Sequence, residues 1–218
     1  MRFAVLIPAL NEEFTVGAVV RACLESRYLD EVIVISDGSC DRTAEVARAS
    51  GAHKVIELPQ NRGKDYALKV GARSTEAEYL VLLDADLIGL KPEHIEALVL
   101  PIIKREAETT LGLFKKGDFR TELAQVVTPF LSGQRVISKK TWEEAILPEA
   151  TVGFGLEIVL QRYIKAQGLA LNKVYLHGLS HRMKEEKLGL KRGFLSRMRM
   201  YLQILKAVFR KNSVTKRP

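Results

Sequence analysis

The sequence predicts an α/β fold with a mostly parallel central sheet and helices on both faces of that sheet. Two observations support this prediction. Short apolar runs that suit buried strands alternate with segments of helical apolar spacing through the first half of the chain, and such alternation is typical of parallel sheets. The predicted strands also end in polar turns, and ligands bind at the carboxyl ends of strands in these sheets. A binding crevice is therefore expected at one edge of the sheet.

The first half of the chain supplies four predicted strands and three predicted helices. Asn11 is a suitable N-cap for the first helix, Asp41 lies near the start of the second, and Gly51 follows its end. The predicted strands are residues 3–9, 30–39, 54–58 and 78–87, and the predicted helices are residues 11–26, 40–52 and 61–75.

The second half of the chain is less regular, as expected where loops carry specificity. A glycine-containing loop leads into a strand within residues 130–138. The other predicted strands are residues 109–114 and 171–176, and the predicted helices are residues 92–105, 141–146 and 153–168.

The net charge of +8 is unevenly distributed. Between residues 181 and 218, twelve Lys and Arg stand against two Glu, so the remaining chain is nearly neutral. Cys23 and Cys40 show no CxxC spacing, which argues against a zinc site and a disulfide framework and favours a reducing cytoplasm. The N-terminal residues lack the pattern of a signal peptide, and no apolar run approaches the roughly 18 residues of a membrane span.

Two carboxylates, Asp84 and Asp86, end the fourth predicted strand. A buried charge is costly unless it is compensated, so the pair is expected to face the crevice. Mg²⁺ and Mn²⁺ prefer oxygen ligands, and Mg²⁺ usually takes one or two carboxylates and completes its shell with water and phosphates. The simpler alternative is that both acids are solvated or cap the next helix. The turn after the first strand has neither the G-x-G-x-x-G nor the P-loop pattern, which excludes those modes of nucleotide binding.

Four segments in the first half of the chain carry a resemblance to a known family. They are VLIPALNEE (5–13), VIVISDGSCDRTAEVA (32–47), NRGKDYALKVG (61–71) and YLVLLDADL (79–87). Together they resemble the nucleotide-binding half of family-2-type glycosyltransferases with the GT-A fold. A looser likeness to the glucosyl-3-phosphoglycerate synthases continues in LSGQR (131–135), GFGLEI (153–158) and HRMKEEKLG (181–189).

This resemblance implies a metal-dependent hexosyltransferase that uses Mg²⁺ or Mn²⁺ and a nucleotide-diphosphate sugar, with a UDP-sugar such as UDP-glucose favoured over a GDP-sugar. The acceptor is not identified by it. Glu12 is implied to meet the ribose hydroxyls, and Asp37 the base or the ribose. The implied nucleotide-sugar residues are Pro8, Ala9, Asn11, Glu12, Asp37, Gly63, Lys64 and Asp84. The implied metal ligands are Asp86 and His181, the catalytic residues Glu157 and Asp86, and the acceptor-binding residues Ser132, Gly133 and Arg135.

Several of these residues have a simpler explanation. Asn11 could serve only as an N-cap, Lys64 as a surface lysine, and His181 as a solvated residue in a basic segment. Glu157 could be a catalytic base, a sugar contact, or a first-turn acid that interacts with the helix dipole. An inverting enzyme needs a base for the acceptor hydroxyl, and the sequence leaves inversion and retention open.

Two other functions compete with the enzyme hypothesis. One is a catalytically silent module that binds a nucleotide sugar. The other is a sugar-phosphate nucleotidyltransferase, which would need a glycine-rich activating loop after the first strand, where this chain has PALNEE.

The expected domain organisation is a GT-A domain over residues 1–190, with a nucleotide half (1–100) and an acceptor half (101–190), followed by a basic tail (191–218). Apolar residues in the tail follow helical spacing between Phe194 and Phe209. The tail is expected to pack on the domain or to lie on an anionic membrane. Nucleic acid is not an expected partner, because no recognition motif accompanies the charge. The expected location is the cytoplasm, or the inner face of the membrane if the tail docks there.

Overall fold

The structure is a computed structural model that describes residues 1–115, 133–146 and 155–181. The strands are β1 (Phe3–Ala9), β2 (Glu31–Asp37), β3 (Lys54–Leu58), β4 (Tyr79–Leu82), β5 (Leu87–Ile88), β6 (Thr109–Lys115), β7 (Arg135–Ser138), β8 (Leu171–His177) and β9 (Ser180–His181). The helices are α1 (Val16–Leu24), α2 (Thr43–Ala49), α3 (Lys64–Arg73), α4 (Pro92–Ile103), α5 (Lys139–Ile146) and α6 (Gly155–Gln167).

The central sheet has the strand order β3-β2-β1-β4-β7-β6-β8. β7 is antiparallel to β4 and β6, whereas the other neighbouring pairs are parallel. The predicted mostly parallel sheet is therefore confirmed. Because β1, β2 and β4 run in the same direction, their carboxyl ends meet at one edge of the sheet. β5 and β9 form a separate antiparallel ladder, which sequence analysis did not predict.

Both faces of the sheet are covered by helices, as predicted. Alternate residues of a strand point to opposite faces, so Val5 and Leu6 belong to two different apolar cores. Helix residues in the first core include Val19 of α1 and Leu98 of α4, and those in the second include Leu68 of α3, Trp142 of α5 and Leu160 of α6. Burial on both faces explains the continuous apolar runs of the central strands. Because the strands are packed on both faces, the positions at which the loops leave them are also fixed.

The structure corrects the predicted start of the first helix. α1 begins at Val16, so the prediction that Asn11 is its N-cap is wrong. Asn11 instead has a φ of 55°, a conformation that Asn adopts more readily than most residues. Its side-chain oxygen accepts a hydrogen bond from the Cys40 amide at 2.9 Å, and its own amide donates to Ser39 Oγ at 3.1 Å. Asn11 therefore ties the loop after β1 to the loop after β2.

The fourth strand is shorter than the sequence suggests. β4 ends at Leu82, so Asp84 and Asp86 lie in the connection between β4 and β5. The Leu83 amide still donates to the Leu6 carbonyl at 3.2 Å, which keeps the start of this connection against β1. Both carboxylates thus lie beyond the sheet edge, at the carboxyl end of the central strands.

The predicted tail and the domain boundary at residue 190 lie outside the described residues. Among the residues that are described, no helix has the length and apolar character needed to cross a membrane. The predicted docking of the tail on a membrane or on the domain stays a prediction.

Candidate functional site

The loops at the carboxyl ends of β1 and β2 lie side by side at the edge of the sheet where the crevice is expected. Glu12 is buried here: its amide donates to Thr43 Oγ1 at 2.8 Å, and its carboxylate accepts from Thr15 Oγ1 at 3.1 Å. Pro8 is half-buried and Ala9 is buried at the end of β1. These contacts, together with those of Asn11, hold the loop after β1 in a fixed shape.

Asp37 connects the end of β2 to the segment that leads into α3. Its buried carboxylate accepts hydrogen bonds from the amides of Arg62 and Gly63, each at 2.8 Å. Gly63 has a φ of 90°, which a residue with a side chain rarely adopts. Asp37 therefore sets the position of the next residue, Lys64. The predicted contact of Asp37 with a base or a ribose stays a prediction.

Lys64 joins two carboxylates from distant parts of the chain. Its Nζ lies 2.7 Å from Asp84 Oδ1 and 3.1 Å from Glu157 Oε1. Burial alone would lower the pKa of Lys64, but the two carboxylates more than offset this and hold the pKa above its usual value. Asp84 also accepts a hydrogen bond from Gln134 Nε2 at 2.7 Å. Lys64 is thus a fixed cation that orients both acids, and not an ordinary surface lysine.

Gly133 lies against this ion pair and leaves no room for a side chain. A Cβ added to Gly133 would lie 2.6 Å from Lys64 Nζ and 2.7 Å from Asp84 Oδ2. The backbone at Gly133 therefore closes directly over the ammonium and the carboxylate. Any ligand that reaches Asp84 would meet this backbone as well, and the predicted role of Gly133 in acceptor binding stays a prediction.

Behind the ion pair lies a group of buried polar side chains. Asp65 of α3 is 2% exposed, and Arg135 of β7 is 1% exposed. Burial lowers the pKa of Arg135 to about 10, and Glu157 opposes this shift, so the guanidinium stays charged at neutral pH. Burial and then Glu157 raise the pKa of Asp65 to about 7. Glu157 is the residue that connects this buried group to Lys64.

The small ladder brings the backbone of His181 next to the segment that follows Asp86. Leu87 pairs with His181, and Ile88 pairs with Ser180, so the backbone of His181 lies beside the residue that follows Asp86. Two further contacts hold this corner: a Cβ on Gly89 would lie 2.7 Å from the Gly178 carbonyl oxygen, and His94 Nε2 lies 3.0 Å from the His177 carbonyl oxygen.

The residues at this corner fit a divalent metal. A carboxylate and an imidazole on paired segments suit Mn²⁺, and Mg²⁺ needs only one or two protein ligands when substrate phosphates complete its shell. Within the described part of the chain, no three His, Cys, Asp or Glu side chains form a complete cage. The assignment of Asp86 and His181 as metal ligands stays a prediction.

The structure therefore brings most of the predicted residues to one edge of the sheet. Lys64, Asp84, Glu157 and Gly133 are in direct proximity. Ser132 lies outside the described residues, and of His181 only the backbone is described. Arg135 lies beneath the crevice surface, so its predicted contact with an acceptor stays a prediction.

Sequence reasoning missed two residues of the site. Gln134 stands between two residues that were predicted, and nothing but its place in LSGQR marks it. Asp65 looks like an ordinary first-turn acid of α3. Only the fold shows that its side chain points into the protein.

Comparison with known proteins now decides the family. The model described as glycosyl transferase family 2 matches residues 4–154, which is more than half of the chain. The chain belongs to this family. This membership confirms the predicted resemblance to family-2 glycosyltransferases. The solved structures that the chain matches have the predicted GT-A fold.

Among the curated relatives in this family, glucosyl-3-phosphoglycerate synthase of Mycobacterium tuberculosis is 37% identical over 194 residues. The match covers 72% of this chain and 59% of the synthase, so the chain spans about three fifths of that relative's length. The 4,4'-diaponeurosporenoate glycosyltransferase of Staphylococcus haemolyticus is 38% identical over 103 residues, which are 44% of this chain and 27% of that protein.

Among solved structures, the M. tuberculosis synthase in complex with Mn²⁺ and UDP-glucose superposes with a TM-score of 0.76 at 27% identity. The match covers 97% of this chain and 80% of that one. The structural match thus reaches beyond residue 154, where the family match ends.

Proposed function

We propose that the protein is a metal-dependent glycosyltransferase that moves a sugar from a UDP-sugar to an acceptor. One observation carries the proposal: the Lys64 ammonium holds Asp84 and Glu157 together at the crevice edge, 2.7 Å and 3.1 Å away. Family membership and the solved relative with Mn²⁺ and UDP-glucose support the reaction class and the donor.

The chain's own residues have separate tasks in this proposal. Asp84 and Glu157 accept hydrogen bonds from sugar hydroxyls, and Lys64 keeps both carboxylates oriented. The loops tied by Asn11, Glu12 and Asp37 bind the nucleoside. Asp86 and His181 hold Mg²⁺ or Mn²⁺, which stabilises the negative charge of the departing diphosphate when it is bound.

The proposal leaves the acceptor open. A structure of the M. tuberculosis synthase contains phosphoglyceric acid, which makes a small phosphorylated acid a reasonable first acceptor to test. Ser132, Gly133 and Arg135 remain the proposed acceptor-binding residues.

The direct test measures donor binding first and turnover second. Thermal stabilisation by UDP-glucose and by GDP-glucose, each with and without Mn²⁺, is expected to favour UDP-glucose with the metal. UDP release in the presence of phosphoglyceric acid then distinguishes an enzyme from a silent binding module. Stabilisation without turnover on any acceptor favours the silent binding module. If no nucleotide sugar stabilises the protein, both the enzyme and the silent module are contradicted.

The metal assignment gives a separate prediction. Asp86→Asn removes one anionic ligand, so Mn²⁺-dependent affinity for UDP is expected to fall at least about tenfold, or ~1.4 kcal/mol. Calorimetric titration of UDP with and without Mn²⁺ measures the change. Glu93→Gln, which neutralises an exposed acid in the first turn of α4, serves as the control and should match the parent protein. Equal UDP affinity of Asp86→Asn and the parent in Mn²⁺ would contradict the assignment.

A further inference from the structure

Four side chains behind the Lys64 ion pair carry buried polar atoms with no hydrogen-bond partner among the described residues. They come from three elements, α3, β7 and α6, which meet under the crevice. The atoms are both carboxyl oxygens of Asp65, both terminal nitrogens of Arg135, Oε2 of Glu157 and Oε1 of Gln161. Buried polar groups are nearly always hydrogen-bonded, so a cluster of exceptions beside a binding site requires an explanation.

A count of the charges shows why Asp65 is different from its neighbours. Two cations, Lys64 and Arg135, balance the two carboxylates of Asp84 and Glu157. An ionised Asp65 would be a fifth charge in a nearly dry environment, which is costly. The cations near it are Lys64, which already pairs with two carboxylates, and Lys69 of its own helix. The balance of the cluster therefore favours an uncharged Asp65.

The groups around Asp65 together raise its pKa, in line with this charge count. Burial is the main cause of its raised pKa, about 7, and repulsion from Glu157 of α6 is the next. Lys64 and Lys69 of its own helix oppose the rise, and so does the Leu156 amide at the start of α6, although that amide forms no well-aligned hydrogen bond. Asp65 thus changes charge close to neutral pH, where Lys64 and Arg135 remain charged.

We propose that Asp65 is a positioning residue that, in its uncharged form, holds Glu157 and Lys64 in the arrangement that binds the donor sugar. This inference rests on the proposed function of the site. An uncharged Asp65 has an O–H that can donate to the unpartnered Oε2 of Glu157, directly or through a water molecule. An ionised Asp65 repels Glu157 and attracts the Lys64 ammonium away from Asp84. The donor site is therefore intact below neutral pH and loosens above it.

Donor binding across the pH range tests the proposal. Calorimetric titration of UDP-glucose with Mn²⁺ compares the parent, Asp65→Asn and Glu45→Gln. Glu45 is the matched control, because it is also a first-turn acid, on α2, but is exposed. When pH rises from about 6 to about 8.5, Asp65 of the parent ionises and the contact between Lys64 and Asp84 is weakened. Donor affinity of the parent is therefore expected to fall about tenfold more than that of Asp65→Asn. Glu45→Gln should follow the parent.

Because metal and nucleotide binding also respond to pH, the informative quantity is the difference between the parent and Asp65→Asn. A difference that grows with pH supports the positioning role. Parallel profiles for the two proteins would overturn it.

Stability without any ligand provides a second readout. The folded-state pKa of Asp65 is raised from 3.8 to about 7, so its contribution to stability is present at low pH and is lost as pH rises through about 7. Asp65→Asn removes this loss, and its melting temperature is expected to exceed that of the parent increasingly as pH rises from about 5 to about 7, and by a constant margin above that.

The two readouts separate this inference from the proposed function. If Asp65→Asn shows the stability difference but not the affinity difference, Asp65 ionises as described and its positioning role is wrong. If neither difference appears, the inference that Asp65 is uncharged below neutral pH is wrong as well. If the parent binds no nucleotide sugar at all, the proposed function falls, whatever the stability profile shows.

Discussion

Replacing Lys64 with methionine is expected to lower kcat for transfer by about a hundredfold or more, the usual effect of removing one preorganised electrostatic group. The methionine side chain fills similar space but leaves Asp84 and Glu157 without the cation that lies 2.7 Å and 3.1 Å from them. The two carboxylates then repel each other and lose their fixed orientation toward the sugar. Steady-state kinetics with UDP-glucose and Mn²⁺ measure the loss.

The same substitution should also destabilise the protein, by about 2 kcal/mol, because a partly buried pair loses one partner. Chemical denaturation measures this loss. Lys104→Met, at an exposed lysine after α4, should change neither activity nor stability.

Lys64→Arg completes the comparison. A guanidinium restores the charge but not the compact geometry of an ammonium, so stability should recover more than activity. Full activity in Lys64→Met would show that Lys64 does not orient the two acids and would remove the main support for the proposed function.

Much of the fold followed from local patterns in the sequence. The buried central strands need apolar residues on both faces, so β1 and β2 appear as unbroken apolar runs. The β5–β9 ladder has two residues in each strand, too few for any recognisable period. The prediction that Asn11 is an N-cap was wrong because Asn is favoured both at helix N-caps and in left-handed turns. Only the contact with Cys40, which the sequence does not show, distinguishes the two.

A single segment with several polar groups, such as the Asp84–Asp86 turn, could be singled out from the sequence, although the metal role of Asp86 stays a prediction. Side chains that meet only through contacts across the fold were harder to predict. Glu157 is 93 positions from Lys64 in the sequence. Its local pattern indicates only an interaction with the helix dipole, and the ion pair with Lys64 becomes visible only once α3 and α6 pack on the same face of the sheet. Asp65 required the same information, because an exposed and a buried first-turn acid have identical local patterns.

Gly133→Ala is expected to impair the site while leaving the fold nearly unchanged. The new Cβ would lie 2.6 Å from Lys64 Nζ and 2.7 Å from Asp84 Oδ2, both closer than a Cβ tolerates. These atoms are the ends of side chains, so they can move away and the backbone need not shift. Movement of about 1 Å at reacting groups can cost about a hundredfold in rate. We therefore expect kcat/KM for UDP-glucose to fall by about that factor, with a melting temperature close to that of the parent.

Gly71→Ala provides the opposite case within the same fold. Gly71 of α3 faces the core, where a Cβ would lie 2.7 Å from Ile35 Cδ1 and 3.3 Å from Leu6 Cδ2. Overpacking of a core typically costs about 1–3 kcal/mol, so this variant should lose stability and keep the donor affinity of its folded fraction. If Gly133→Ala instead loses stability and keeps donor affinity, then the backbone at Gly133 supports the fold and does not shape the sugar site. The contrast works because the two glycines differ in what they contact: charged side-chain ends at a crevice for Gly133, and closely packed methyl groups for Gly71.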